Sequence, residues 1–230
     1  MTHPQNPLPG QIVFVRHAES EANAILYKSF EEHDDYNEAL AEAVLLIQKH
    51  PHNSDWHLTS HGEAQAATLG RYLASRFGEH YFDDVFVSGM LRAQQTQQIA
   101  FPSATPTVDV DLNEIPRGIF EHADFRQKRT PRPRSAIKTH LVRRDGFIEN
   151  LCSGAYAKKK VLIFGHGAWI ASCVIYPHEL MHCDIPAKDS YIANTGVVIY
   201  RSQELLPKID ADPDDTPQHL LVAVEYNAIP

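Results

Sequence analysis

Three short apolar runs, rich in β-branched and aromatic residues, each stop abruptly at a basic or glycine-containing turn. Gln11-Ile-Val-Phe-Val15 runs into Arg16-His17, and Asp84-Val-Phe-Val87 runs into Ser88-Gly89-Met90-Leu91-Arg92. Lys160-Val-Leu-Ile-Phe164 runs into Gly165-His166-Gly167. Such short runs, with no polar alternation, read as strands buried on both faces. Helical patterning separates them. Ser20 opens one helix, and residues 36–50 read as a second, ended by Pro51. Ser60 and Glu63 read as a capping box for a third, which sets Ala66, Leu69, Leu73 and Phe77 on one face. Residues 91–100 and 168–176 read as further helices, and another follows Pro133. A short strand at 108–110 and late strands at 197–200 and 220–224 complete the pattern. Alternating strands and helices predict an α/β three-layer sandwich, a mainly parallel central sheet with helices on both faces.

Ligands of an open parallel sheet bind at the carboxyl ends of strands, beside helix N-termini. If the three strands are neighbours, Arg16, His17, Arg92 and His166 meet in one pocket. Guanidinium forks give paired hydrogen bonds to phosphate oxygens and stay charged. A neutral imidazole can attack phosphorus, and a protonated one can steady the charge that develops on the oxygens. The bulk numbers agree with a compact enzyme. Apolar residues make up 43% of the chain and charged residues 22%, enough for one domain over residues 11–230 behind a flexible 1–10 segment. A net charge of −8 argues against nucleic acid or a membrane surface as partner. Three cysteines with no paired framework, and no export-type or membrane-spanning apolar run, point to a reducing, cytoplasmic setting.

Arg16-His17-Ala18-Glu19-Ser20-Glu21-Ala22-Asn23 resembles the signature of the histidine phosphatase superfamily, in its phosphoglycerate mutase-like branch. Matching stretches follow in the family's order. Leu58-Thr59 with Gly62, Gln65 and Ala66 comes first, then Val87-Ser88 with Arg92-Ala93-Gln94-Gln95-Thr96. Leu112-Asn113-Glu114 with Gly118 and Glu121, Phe164-Gly165-His166-Gly167, and Asn194-Thr195-Gly196 complete the set. The resemblance implies that His17 is the phosphorylated nucleophile. It implies that Arg16, Arg92, His166, Gly167 and Asn23 hold the substrate's phosphoryl oxygens, and that Glu114 gives a proton to the leaving oxygen and then takes one from water. It implies no metal and no cofactor, with a small phosphorylated molecule or a phosphoprotein as substrate.

Other readings stand beside these. Asn23 could instead only cap a helix start, the lesser of its two readings, and Ser88 is as readily a cap of the next helix as a phosphate contact. His178-Glu179-Leu180-Met181-His182 matches a zinc-peptidase pattern, which requires a helix. A cysteine nucleophile is disfavoured because no Cys-x5-Arg loop occurs, and a non-catalytic phosphate-binding module would not need both histidines and Glu114. Thirty-five residues separate Asn23 from Thr59, an insertion at 24–58 that could wall the pocket or support oligomer contacts. Eight Lys or Arg residues and no acid lie between Arg126 and Arg144, within a cap-like 117–150 segment that could draw in anions or merely be solvated. Glu114-Ile115-Pro116-Arg117-Gly118 lacks the Arg-x-Tyr-Gly of the glycolytic mutases, which favours phosphatase over mutase chemistry.

Overall fold

The computed structural model describes residues 8–47, 53–114, 134–176, 178–184, 191–205 and 218–228. Among these residues seven strands form one sheet: β1 Gln11–Arg16, β2 Asp84–Ser88, β3 Thr107–Asp109, β4 Lys160–Gly165, β5 Met181–His182, β6 Val197–Leu205 and β7 Gln218–Ala228. Their spatial order is β3-β2-β4-β1-β6-β7-β5. β6 pairs antiparallel with both β1 and β7, and every other pairing is parallel. The described residues also form six α-helices: α1 Glu21–Glu32, α2 Tyr36–Ile47, α3 Ser60–Phe77, α4 Leu91–Ala100, α5 Arg134–Leu151 and α6 Gly167–Ile175.

The apolar runs are buried on both faces because each face of the sheet has its own core. Ile12, Phe14, Phe86, Val161 and Ile163 pack with Phe147, Ile148 and Leu151 of α5 and Trp169, Ile170 and Cys173 of α6. The intervening residues Val13, Val15, Val85, Val87, Leu162 and Phe164 pack with Leu69 and Leu73 of α3 and Ala93 and Ala100 of α4. Successive side chains of a strand point to opposite faces, so one continuous apolar run feeds both cores. The expected three-layer α/β arrangement is therefore the observed one.

Several local expectations are corrected. Ser60 and Glu63 do not form the capping box of α3. Thr59 is the N-cap, and its hydroxyl accepts from the Gly62 N–H at 2.9 Å, which makes Ser60 the first helical residue. The strand expected at 108–110 ends at Asp109, and Val110–Leu112 turns into a 3-10 helix. The His178–His182 stretch is a turn followed by β5, so its two imidazoles do not share a helix face. Leu8 is buried and Gly10 bonds to the Lys159 carbonyl, so the chain is already packed three residues before β1. Residues 1–7 lie outside the described part, as do residues 115–133, which hold the first half of the basic segment.

Arg144 also departs from expectation. It is 2% exposed and donates to the carbonyls of Ser172 and Tyr176 at the end of α6, and to Asp145. It is a buried helix cap and not an entrance cation. Its place on the inner face of α5, one residue from the half-buried Arg143 that bonds the Val110 carbonyl, explains the difference. No described helix is long and apolar enough to cross a membrane.

Candidate active site

The order β2-β4-β1 makes the three basic turns neighbours at one edge of the sheet. Arg16 pairs with Gly165, and Val87 with Phe164, so the residues that follow each strand emerge at one level. His17 is 3% exposed, and its N–H and carbonyl are anchored to Gly165 and Thr195. Its Nδ1 lies 2.7 Å from the Ala18 carbonyl oxygen. A carbonyl only accepts, so Nδ1 carries the ring proton and Nε2 is left with its lone pair. Arg92 donates from Nε to that Nε2 at 3.2 Å, which fits the same tautomer.

Arg16 is 6% exposed at the end of β1. Its Nη1 donates to the Ile192 carbonyl and, at 3.3 Å, to the Tyr191 hydroxyl. Its Nε has no partner among the described residues. A buried guanidinium with an unused donor suits an anionic ligand, since leaving such a group unsatisfied is costly. The side chain lies against the start of α6, where a methyl group on Gly167 would come within 3.1 Å of Arg16 Cδ. Glycine at 167 is what lets the guanidinium and the helix N-terminus sit side by side. His166 precedes that helix as its N-cap without a side-chain cap bond, so its own side chain does not occupy the first N–H groups of α6.

The two imidazoles meet edge to face, with ring centres 5.1 Å apart. His166 Nε2 lies 2.8 Å from Ser88 Oγ. Glu114 is 6% exposed and its Oε2 accepts from the Ala168 N–H at 3.4 Å, which sets the carboxyl at the start of α6. His17, Arg92, His166, Arg16, Gly167 and Glu114 are thus brought together. Asn23 is placed differently. Its Oδ1 accepts from the backbone N–H of Ser20 at 3.2 Å and completes a reciprocal cap of α1. An anion contact by Asn23 would therefore fall to its Nδ2.

Four contributors escaped the sequence reading. Thr96 Oγ1 accepts from the Ala18 N–H at 3.0 Å and donates to the Arg92 carbonyl, so it pins the turn that carries His17 to α4. Thr195 has φ 57°, a left-handed conformation that costs a β-branched residue on the order of 1–3 kcal/mol. It occupies that conformation where its N–H reaches the His17 carbonyl. Tyr191 lies over Arg16, with the guanidinium carbon 5.6 Å from its ring centre. Asn113 accepts from Ser88 Oγ at 2.8 Å. Thr96, Thr195 and Asn113 stand inside the family-like stretches quoted above, which was the available signal; Tyr191 carried none.

Rival chemistries find less here. Burial pushes the thiols of Cys152 and Cys173 up to about 12, so neither is a ready thiolate. Among the described residues no three His, Cys, Asp or Glu side chains are grouped to hold a metal ion.

Residues 12–210 match the model of the histidine phosphatase superfamily (branch 1). No curated protein matches the chain. Solved structures do. A phosphoserine phosphatase from Entamoeba histolytica, in complex with phosphoserine, shares 16% identity over 95% of this chain and 97% of its own, with a TM-score of 0.58. A putative alpha-ribazole-5'-P phosphatase from Escherichia coli shares 16% over 96% and 98%, with a TM-score of 0.57. A mycobacterial glucosyl-3-phosphoglycerate phosphatase shares 14% over 95% and 98%, with a TM-score of 0.55. Identities this low speak to fold.

Proposed function

The chain belongs to the histidine phosphatase superfamily, branch 1, and from that premise we propose that it hydrolyses a phosphomonoester through a phosphohistidine on His17. The observation that carries this reading is the His17 tautomer. With Nδ1–H held by the Ala18 carbonyl, the Nε2 lone pair is presented beside the Arg92 guanidinium. In the first step Nε2 attacks phosphorus and the bond to the leaving oxygen breaks. The Glu114 carboxyl supplies that oxygen's proton. In the second step Glu114 takes a proton from water, the water oxygen bonds to phosphorus, and the N–P bond breaks to release orthophosphate. Arg16, Arg92, the N–H groups at the start of α6 and a protonated His166 carry the charge of the transferring oxygens. No metal ion is required by this scheme, because the cations are the protein's own.

The substrate is a small phosphorylated molecule or a phosphorylated protein side chain. The phosphatases of similar fold act, by their names, on phosphoserine, glucosyl-3-phosphoglycerate and alpha-ribazole-5'-phosphate, which makes these the first esters to try. A single domain over residues 11–230, working in a reducing cytoplasm, fits three cysteines of which none is in a disulfide. The test is a panel of phosphorylated metabolites and phosphopeptides, assayed for phosphate release with and without excess chelator. We expect release that chelator leaves unchanged. Transfer of the phosphoryl group to a phosphoglycerate without release would make the protein a mutase. Loss of activity on chelation, restored by zinc, would overturn the metal-free scheme.

A further inference from the structure

Ser88 stands between the second histidine of the site and a side chain that the scheme above does not use. Its hydroxyl has one proton and two lone pairs. The proton goes to Asn113 Oδ1 at 2.8 Å, since a carbonyl oxygen can only accept. One lone pair takes the Met90 N–H at 3.2 Å. The other faces His166 Nε2 at 2.8 Å, so that nitrogen must be the donor. The hydroxyl is fully committed, and Ser88 is itself 0% exposed. His166 therefore keeps a proton on Nε2, and a hydrogen bond from His166 to a phosphoryl oxygen must come from Nδ1.

We propose that Asn113 is a positioning residue, which through Ser88 holds His166 as an Nε2–H donor and governs how readily the ring takes its second proton. The consequence follows from the charges around His166. His17 adjoins it at the end of β1, and Arg92 of α4 is bonded to His17 in turn. Arg16 lies against Gly167, and the positive end of α6 begins at His166 itself. These disfavour a further positive charge. Glu114, at the Ala168 N–H, is the carboxylate on the other side. From α5, Arg143 and Arg144 are tied to the Val110 carbonyl and to the far end of α6. Asn113 adds no charge to this balance. The cationic ring is thus favoured mainly when a phosphoryl dianion is present, where the proposed mechanism needs it. An acid at 113 would weaken that dependence.

This inference rests on the proposed hydrolase reading, and its test has an arm that does not. Asn113→Asp keeps the shape and the acceptor but places a carboxylate one hydroxyl away from His166. Asn113→Leu removes the acceptor and frees the Ser88 hydroxyl to donate to Nε2, which favours the neutral ring. The alkaline limb of the kcat/KM profile should move up by about one pH unit in Asn113→Asp and down in Asn113→Leu. Imidazole 15N resonances of the substrate-free protein should show Nε2–H on His166 when the ring is neutral, and the same upward displacement of its titration in Asn113→Asp. The NMR arm holds even if the protein hydrolyses nothing. Two results would overturn the proposal: a neutral His166 protonated on Nδ1 in the unaltered protein, or variants whose titrations coincide with it while activity falls evenly at every pH.

Discussion

At the scale of single residues, the site depends on two choices of proton position. His17 is held with its proton on Nδ1 by a neighbouring carbonyl, and Glu114 is buried at the start of α6, where the proposed scheme has it first give and then take a proton. If Glu114 is the acid, Glu114→Gln should slow hydrolysis of alkyl phosphates by about 10²–10⁴-fold. The loss should shrink for nitrophenyl phosphate, whose leaving group needs little protonation. An equal loss for both, in steady-state assays, would place the acid elsewhere. The principal residues were legible in the sequence because strand ends and family-like stretches coincide at His17, Arg92 and His166. Asn113 was quoted only as part of a match, and nothing in a linear sequence says that Ser88 would turn toward it. Asn23 shows the reverse case, since its observed cap uses Oδ1 and the proposed anion contact would fall to the other atom of the same amide.

At the scale of elements, the site is a product of packing as much as of strand ends. The turn after β1 is clamped by α3, because a methyl group on Gly62 would lie 2.0 Å from the Glu19 carbonyl oxygen. The Thr59 N–H also bonds that carbonyl. Gly62→Ala must push α3 away from the turn. We expect a loss of about 1–3 kcal/mol, which at this chain size lowers the melting temperature by roughly 2–4 °C per kcal/mol. Activity should fall together with it, because the displaced turn carries His17. Unchanged melting, measured by circular dichroism, would show that the helix can adjust freely. The strands were readable from composition because burial on two faces demands continuous apolar runs. Helix starts were less so. Thr59 and Ser60 are both good caps, and only the extended backbone of Thr59, φ −76° and ψ 165°, decides between them.

At the scale of the whole molecule, an acidic chain holds two buried arginines, Arg16 and Arg92, in its candidate site, and the proposal is that nearby cations guide an anionic substrate to them. The net charge is −8. The basic segment is a proposal for the entrance, now without Arg144, whose guanidinium is committed to the end of α6. Replacing Arg126, Lys128, Arg129 and Arg132 with glutamine should lower kcat/KM for a bisphosphate several-fold at low salt and leave kcat nearly unchanged. High salt should erase the difference, and a simple aryl monophosphate, which carries less charge than a bisphosphate, should show less of it. Equal kinetics at low salt would return the segment to a solvated surface. That role was not legible from charge alone, because a run of cations looks the same in sequence whether it lines a pocket or caps a helix. The central claim is covalent, and it is tested most directly by trapping. Enzyme mixed with a 32P-labelled substrate and quenched in alkali within one turnover should carry label that acid removes and alkali does not, located on the peptide holding His17. His17→Ala should carry none and turn over no substrate. Undiminished turnover in His17→Ala, or label that survives acid, would contradict the account.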